Sequence, residues 1–184
     1  MNHRTLMALA CGLLATATNA CSHVVVDQPS AAAGSGYRAV FRVTHGCDGL
    51  ATVGITVLIP AGVQGAKPMP KPGWALSVRK EPLAAPYTSH GKRVDSDVRE
   101  VSWTASSNES ALPDAHFDEF ILRATLPGTP GPLWFKVAQV CREGGTEVRR
   151  DWAQLPKDGA DTKGLASPAV RLQVEPAAKG QSHH

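Results

Sequence analysis

Val53-Gly54-Ile55-Thr56-Val57-Leu58-Ile59-Pro60 decides the fold class. Val53, Ile55, Val57 and Ile59 share one parity, and Gly54, Thr56 and Leu58 take the other. That period of two puts successive side chains on opposite faces of a strand, and Pro60 ends the ladder because it has no N–H to give. Tyr37, Ala39, Phe41 and Val43 repeat the pattern upstream. Further strands are expected over 23–26, 75–80, 98–104, 117–126, 133–140, 146–153 and 170–174. Between them lie turn signals: Ala33-Gly34-Ser35-Gly36, Pro68-Met69-Pro70-Lys71-Pro72-Gly73, Pro127-Gly128-Thr129-Pro130-Gly131-Pro132 and Glu143-Gly144-Gly145. Past the N-terminal region no helix-length 3.6-residue period occurs. Eight or nine short strands with such turns specify an all-β, immunoglobulin-like β-sandwich.

The N-terminus reads differently. Met1-Asn2-His3-Arg4 is a short basic lead, residues 6–15 form an apolar core, and Ala20-Cys21-Ser22 supplies small residues at a cleavage site. This is a signal peptide over residues 1–22, cut between Ser22 and His23. Lipidation at Cys21 is the competing reading, weakened by Thr18 and Asn19 in place of a good lipobox. Removing residues 1–22 from the 184-residue chain leaves 162 residues, carrying 18 Lys+Arg against 16 Asp+Glu. A near-neutral balance argues against a nucleic-acid partner and against an acidic disordered chain. No apolar stretch is long enough to span a bilayer. The expected location is periplasmic or secreted. The domain is expected over 23–175, with a flexible tail over 176–184.

Of four cysteines, Cys11 and Cys21 leave with the signal. Cys47 and Cys141 remain, an even pair in an exported chain, so one disulfide is expected. Their parities match Phe41 and Val43 for the first and Phe135 and Val137 for the second, so both thiols should face the apolar side. Two free buried thiols, or a cysteine-ligated metal, are the alternatives.

A mature chain that begins with His23 offers its α-amine and its imidazole Nδ1 to one metal. Two nitrogens in one chelate ring suit Cu(II), which favours tetragonal N/O sites. The bland reading is that His23 is only the residue after the cut. Asp114-Ala115-His116 is the second feature: in an extended segment residues i and i+2 project together, giving a carboxylate and an imidazole on one face. The alternative is a turn at Pro113-Asp114 with His116 on the surface. His45, beside Cys47, reads as structural, and His90, in Thr88-Ser89-His90-Gly91-Lys92-Arg93, as solvated. Trp74, Trp103, Trp134 and Trp152 read as packing residues, one of which would cover a metal site. Asn108-Glu109-Ser110 matches a glycosylation sequon, a pattern common by chance.

An ordered set of motifs now adds to this reading. It comprises His23-Val24-Val25-Val26, Phe41 to Gly49, Ile59-Pro60-Ala61-Gly62-Val63, Lys71-Pro72-Gly73-Trp74 and Val101-Ser102-Trp103. It continues with Phe117-Asp118-Glu119-Phe120, Gln139-Val140-Cys141, Trp152 and Ser167-Pro168-Ala169. The set resembles the YcnI family of exported copper-binding domains, from His23 to about Leu172. The resemblance implies an immunoglobulin-like sandwich and Cu(II) held by the mature N-terminal histidine in a single-histidine brace. A carboxylate would complete the ligation and a tryptophan would lie nearby, here Trp152 in preference to Trp103. The chain departs from the family at His116, where some relatives carry Glu. Asp114-Ala115-His116 is also similar to the Asp-x-His pair of CopC-type periplasmic copper proteins, which implies His116 as second ligand and Asp114 as a weaker one. Glu119 and Glu143 are reserve carboxylates.

The expected function is Cu(II) buffering, trafficking or delivery to another periplasmic or membrane copper protein, without catalysis. The alternatives are a metal-free envelope interaction module and a copper mono-oxygenase. The second is disfavoured by the few aromatic residues available for a flat substrate surface. No Ser-His-Asp order, phosphate loop or paired zinc spacing supports a hydrolase or nucleotide enzyme.

Overall fold

The computed structural model describes residues 24–157 and 161–177. The expected leader over 1–22, His23, and the expected tail beyond residue 177 lie outside the described residues. In chain order the strands are β1 (Val25–Val26), β2 (Ser30–Ala32), β3 (Gly36–Val43), β4 (Thr52–Leu58), β5 (Gln64–Pro68) and β6 (Trp74–Ser89). They continue as β7 (Lys92–Ala105), β8 (Asp118–Thr125), β9 (Gly131–Glu143), β10 (Thr146–Trp152) and β11 (Val170–Glu175). One 3₁₀ turn, Asn108–Ser110, interrupts them.

Two sheets form. One has four strands in the order β1-β3-β8-β5, and the other runs β2-β11-β9-β4-β7-β6. β9 is long enough to serve two partners on one side: β11 along 131–135 and β10 along 137–143. The alternating residues of facing strands meet between the sheets. Phe41 of β3 meets Phe135 of β9 edge-on at 5.3 Å, and Phe120 of β8 takes Trp74 at 5.0 Å and Trp103 at 5.6 Å. Trp103 is fully buried, and its indole N–H donates to the Met69 carbonyl at 3.0 Å. A tryptophan can be buried whole because its one polar atom finds an acceptor.

Two strands were not expected from the sequence. β5 carries Gly65 at φ +61, ends in Pro68 and has a register shift between its rungs, so its alternation is broken. β2 is three residues of Ser and Ala pairing in parallel with β11, too short and too small for a periodic signal. The strands expected over 75–80 and 98–104 extend into a ribbon, β6–β7, that runs past the sheet to a His90-Gly91 turn. Its register shifts twice, between Arg79 and Lys80 and between Pro82 and Tyr87.

Asp97 ties this ribbon to β5. Its carboxylate accepts the Gly65 N–H at 2.7 Å, the Tyr87 hydroxyl at 2.8 Å and the Val98 N–H at 2.7 Å. Burial pushes its carboxyl pKa up, but these donors and the Arg99 charge outweigh burial and hold it below the usual carboxylate range.

Cys47 and Cys141 form the expected disulfide, with Cα atoms 5.7 Å apart across a sequence separation of 94. Both are buried. Cys141 reaches the interior by strand parity, as expected. Cys47 does so from a turn: Asp48 (φ +55) and Gly49 (φ +83) reverse the chain, and the Leu50 N–H donates to the Cys47 carbonyl at 3.0 Å. Gly46 is required beside it, since a Cβ there would lie 1.7 Å from the Leu50 carbonyl oxygen.

Candidate metal centre

The described chain begins at buried Val24, and Val25 pairs with Arg42 near the end of β3. Arg42 is opposite Glu119 on its other side, and Val43 is opposite Asp118. Three chain segments therefore converge at one end of the four-stranded sheet: the start of β1, the end of β3 and the approach to β8. Arg42, Thr44, Ala115, His116, Phe117 and Glu119 line a shallow cleft of about 590 Å³ there.

His116 is exposed in this cleft. Its backbone N–H donates to the Pro113 carbonyl at 3.0 Å, closing a turn over residues 113–116. That turn corrects the expectation that Asp114 and His116 project together. An extended segment would have aligned them, but the chain reverses between them. Asp114 points elsewhere: its Oδ1 accepts the Gly46 N–H at 2.9 Å and so braces the loop that presents Cys47. Asp114 and Glu143 line a separate cleft with Gly49, Ala51 and Arg142.

Glu119 is the carboxylate that shares the His116 cleft. It lies 3.9 Å from the Arg42 guanidinium, which also bonds Asp27. A contact that long between half-exposed groups holds the carboxylate weakly. Among the described residues no group of three His, Cys, Asp or Glu side chains could hold a metal ion. The cleft supplies one imidazole and one carboxylate, a fit for part of an N/O donor set.

Trp152 ends β10 opposite Val137 and belongs to the core cluster with Val24 and Val43. Phe41 and Phe135 fix the relative level of the two sheets, and Val43 and Val137 each lie two residues beyond them. By register, Trp152 thus lies at the end of the core where the chain enters at Val24. Trp103 packs instead on Phe120.

His45 is half-buried, with Nδ1 2.6 Å from the Gly46 carbonyl oxygen. Its own carbonyl accepts from the buried Gln139 amide at 2.9 Å, and Gln139 also donates to Thr52 Oγ1 at 2.8 Å. These contacts tie His45 into the loop beside Cys47. Phe117 entered the sequence reading only as part of the Phe117-Asp118-Glu119-Phe120 motif, with no role at a site, yet it is 67% exposed at the cleft. Its parity gave the signal: Phe120, Leu122 and Ala124 point inward, so Phe117 shares the outward face with Glu119.

Fold and disulfide define an immunoglobulin-like β-sandwich. The chain belongs to the family described as Domain of unknown function (DUF1775), which matches residues 23–174. This is the YcnI-like domain that the motifs resemble. The chain is also similar to the crystal structure of an uncharacterized protein from Nocardia farcinica that reveals an immunoglobulin-like fold. That similarity is 26% identity at a TM-score of 0.62, over 85% of this chain and 99% of the other. No curated protein matches. No helix among the described residues is long and apolar enough to cross a membrane.

Proposed function

We propose that the protein is an exported Cu(II)-binding protein that buffers or delivers copper, with the metal held by the N-terminal amine and imidazole of His23. His116 is the second imidazole. Glu119 takes the carboxylate role in place of Asp114, because Glu119 lines the cleft with His116 while Asp114 is committed to the Gly46 N–H. Trp152 shields the interior side. No catalytic step is assigned, and the copper acceptor is another periplasmic or membrane protein.

The observation that carries this reading is the convergence of His116, Glu119 and the Val25–Arg42 rung at one sheet end, two residues from His23 in sequence. The family match starting at residue 23 supports it further. Protons compete for the amine and both imidazoles, so binding should weaken as pH falls.

The test is Cu(II) titration of the protein beginning at His23, read by electron paramagnetic resonance, beside a version with one extra residue in front. One-to-one binding with nitrogen hyperfine structure, lost in the extended version, is expected. A His116→Ala variant should lose one nitrogen coupling. Equal binding by both versions, or by neither, would overturn the brace and leave a metal-free envelope interaction module.

A further inference from the structure

The outer face of the four-stranded sheet carries a charge arrangement that folding does not need. Register sets Arg38 of β3 directly opposite Arg123 of β8, and Arg123 directly opposite Lys67 of β5. Directly opposed residues on one face bring their Cβ atoms within about 4.5–5.5 Å, where like charges are destabilising. All three side chains are exposed. None of the three enters any of the ion pairs among the described residues. Elsewhere on this sheet charges are paired: Arg42 lies against Glu119 and Asp27, and Asp118 of β8 bonds Lys71 of the loop after β5 at 2.6 Å. The unneutralised row is local.

The row lines a cleft of about 600 Å³ that also includes Met69, Ile121 and His90. His90 arrives from the tip of the β6–β7 ribbon, in the left-handed region at φ +47, followed by Gly91 at φ +72. Few side chains adopt that conformation. The Asp97 contacts with Gly65 and Tyr87 hold the ribbon beside this sheet, so His90 is placed at the cleft by a built junction.

Three positive groups in a row call for a ligand with more than one negative charge. Guanidinium forks match the paired oxygens of phosphate, and lysine adds a point charge. A terminal phosphate carries about −1.5 to −2 charges near pH 7 and three acceptor oxygens. Met69 and Ile121 offer an apolar wall to whatever bears that phosphate. We propose that this cleft binds a phosphate-monoester dianion, gripped by Arg38 and Arg123, neutralised further by Lys67 and flanked by His90.

The phosphate would come either from a soluble compound or from a lipid headgroup, and two arms separate them. Inorganic phosphate is titrated calorimetrically into the full mature protein. Co-sedimentation is measured with phosphatidylcholine vesicles, with and without phosphatidic acid. Saturable phosphate binding that weakens about tenfold or more in Arg123→Gln supports the site, since hydrogen bonds to charged groups are worth that much. Lys136→Gln, on the other sheet, should bind as wild type does. Sedimentation only with phosphatidic acid, lost in Arg123→Gln, assigns the lipid source, and phosphate binding without it assigns the soluble one. Absence of both, or equal binding by wild type and Arg123→Gln, would overturn the proposal. A folding defect is told apart by thermal unfolding without ligand. Relief of repulsion should leave Arg123→Gln melting at or above the wild-type temperature at low salt, and a lower melting temperature would overturn the repulsive row.

Discussion

Replacing both Cys47 and Cys141 with alanine tests the largest single constraint on this chain. The two residues are 94 apart in sequence, and the bond between them joins the loop after β3 to the end of β9. In the chain-entropy treatment, a closed loop of that length removes about 16 cal/mol/K from the unfolded ensemble, about 4.7 kcal/mol at 25 °C. Both sites are buried, and alanine carries no polar side-chain atom, so neither substitution adds an unsatisfied group of its own. Thr52 Oγ1 gives up its 3.7 Å approach to Cys141 Sγ but keeps its bond from Gln139. For a domain of this size, a destabilisation of that order lowers the melting temperature by roughly 10–20 °C. Urea unfolding of wild type and the double variant measures the difference. The m-value should rise in the variant, because its unfolded chain is no longer looped and exposes more surface. A destabilisation below about 1 kcal/mol with an unchanged m-value would refute the unfolded-state argument. It would place the stability of this junction in the Gly46–Asp114 and Gln139 hydrogen bonds instead.

Two further predictions concern pH. The Asp97 carboxyl is held below its ordinary value by its donors, so its contribution is complete above about pH 4 and is lost as pH falls through the lower folded value. Asp97→Asn should cost about 1–3 kcal/mol at pH 7, because it replaces one accepting oxygen with an NH2 donor that faces other donors. Urea unfolding at pH 7 and pH 3 checks this, and equal stability of variant and wild type at pH 7 would contradict it. At the other end of the scale, burial and the Asp27 charge push the Tyr37 hydroxyl up to about 12. Its hydroxyl donates to the Gln28 carbonyl at 2.7 Å. Stability from the neutral phenol is therefore full below pH 10 and declines as pH rises toward 12. Tyr37→Phe should flatten that decline, and an identical alkaline fall in the variant would exclude Tyr37 as its cause.

The strands that alternate cleanly were legible because one face is buried and the other is not. β4 is the example: Val53, Ile55 and Val57 are interior, as their parity requires. Where burial is decided by something other than the strand's own period, the sequence was silent. β5 is bulged at Gly65 and β2 presents only small residues. Gln139 shares the inward parity of Val137 and Cys141, yet it is polar because it must satisfy His45 and Thr52. The candidate site was half legible. His116 reaches an accessible cleft, but the Pro113-to-His116 turn separates it from Asp114. Turn geometry there depends on the Gly46 amide 68 residues away. The cationic row was hidden for a similar reason: Arg38, Lys67 and Arg123 have no sequence relation and meet only through register.

The irregular ribbon also bears on how copies of this protein behave when concentrated. β6 is the outermost strand of its sheet, so one side of its backbone is free to recruit a strand from another molecule. Pro82 and Pro86 leave the strand two N–H groups short, and the register shifts at Lys80 and Tyr87 keep it from lying flat. Arg79, Lys80 and Glu81 place charge along it. Two such edges meeting face to face would misalign their donors and oppose their charges, so the longest open strand of the fold is poorly suited to start a fibril.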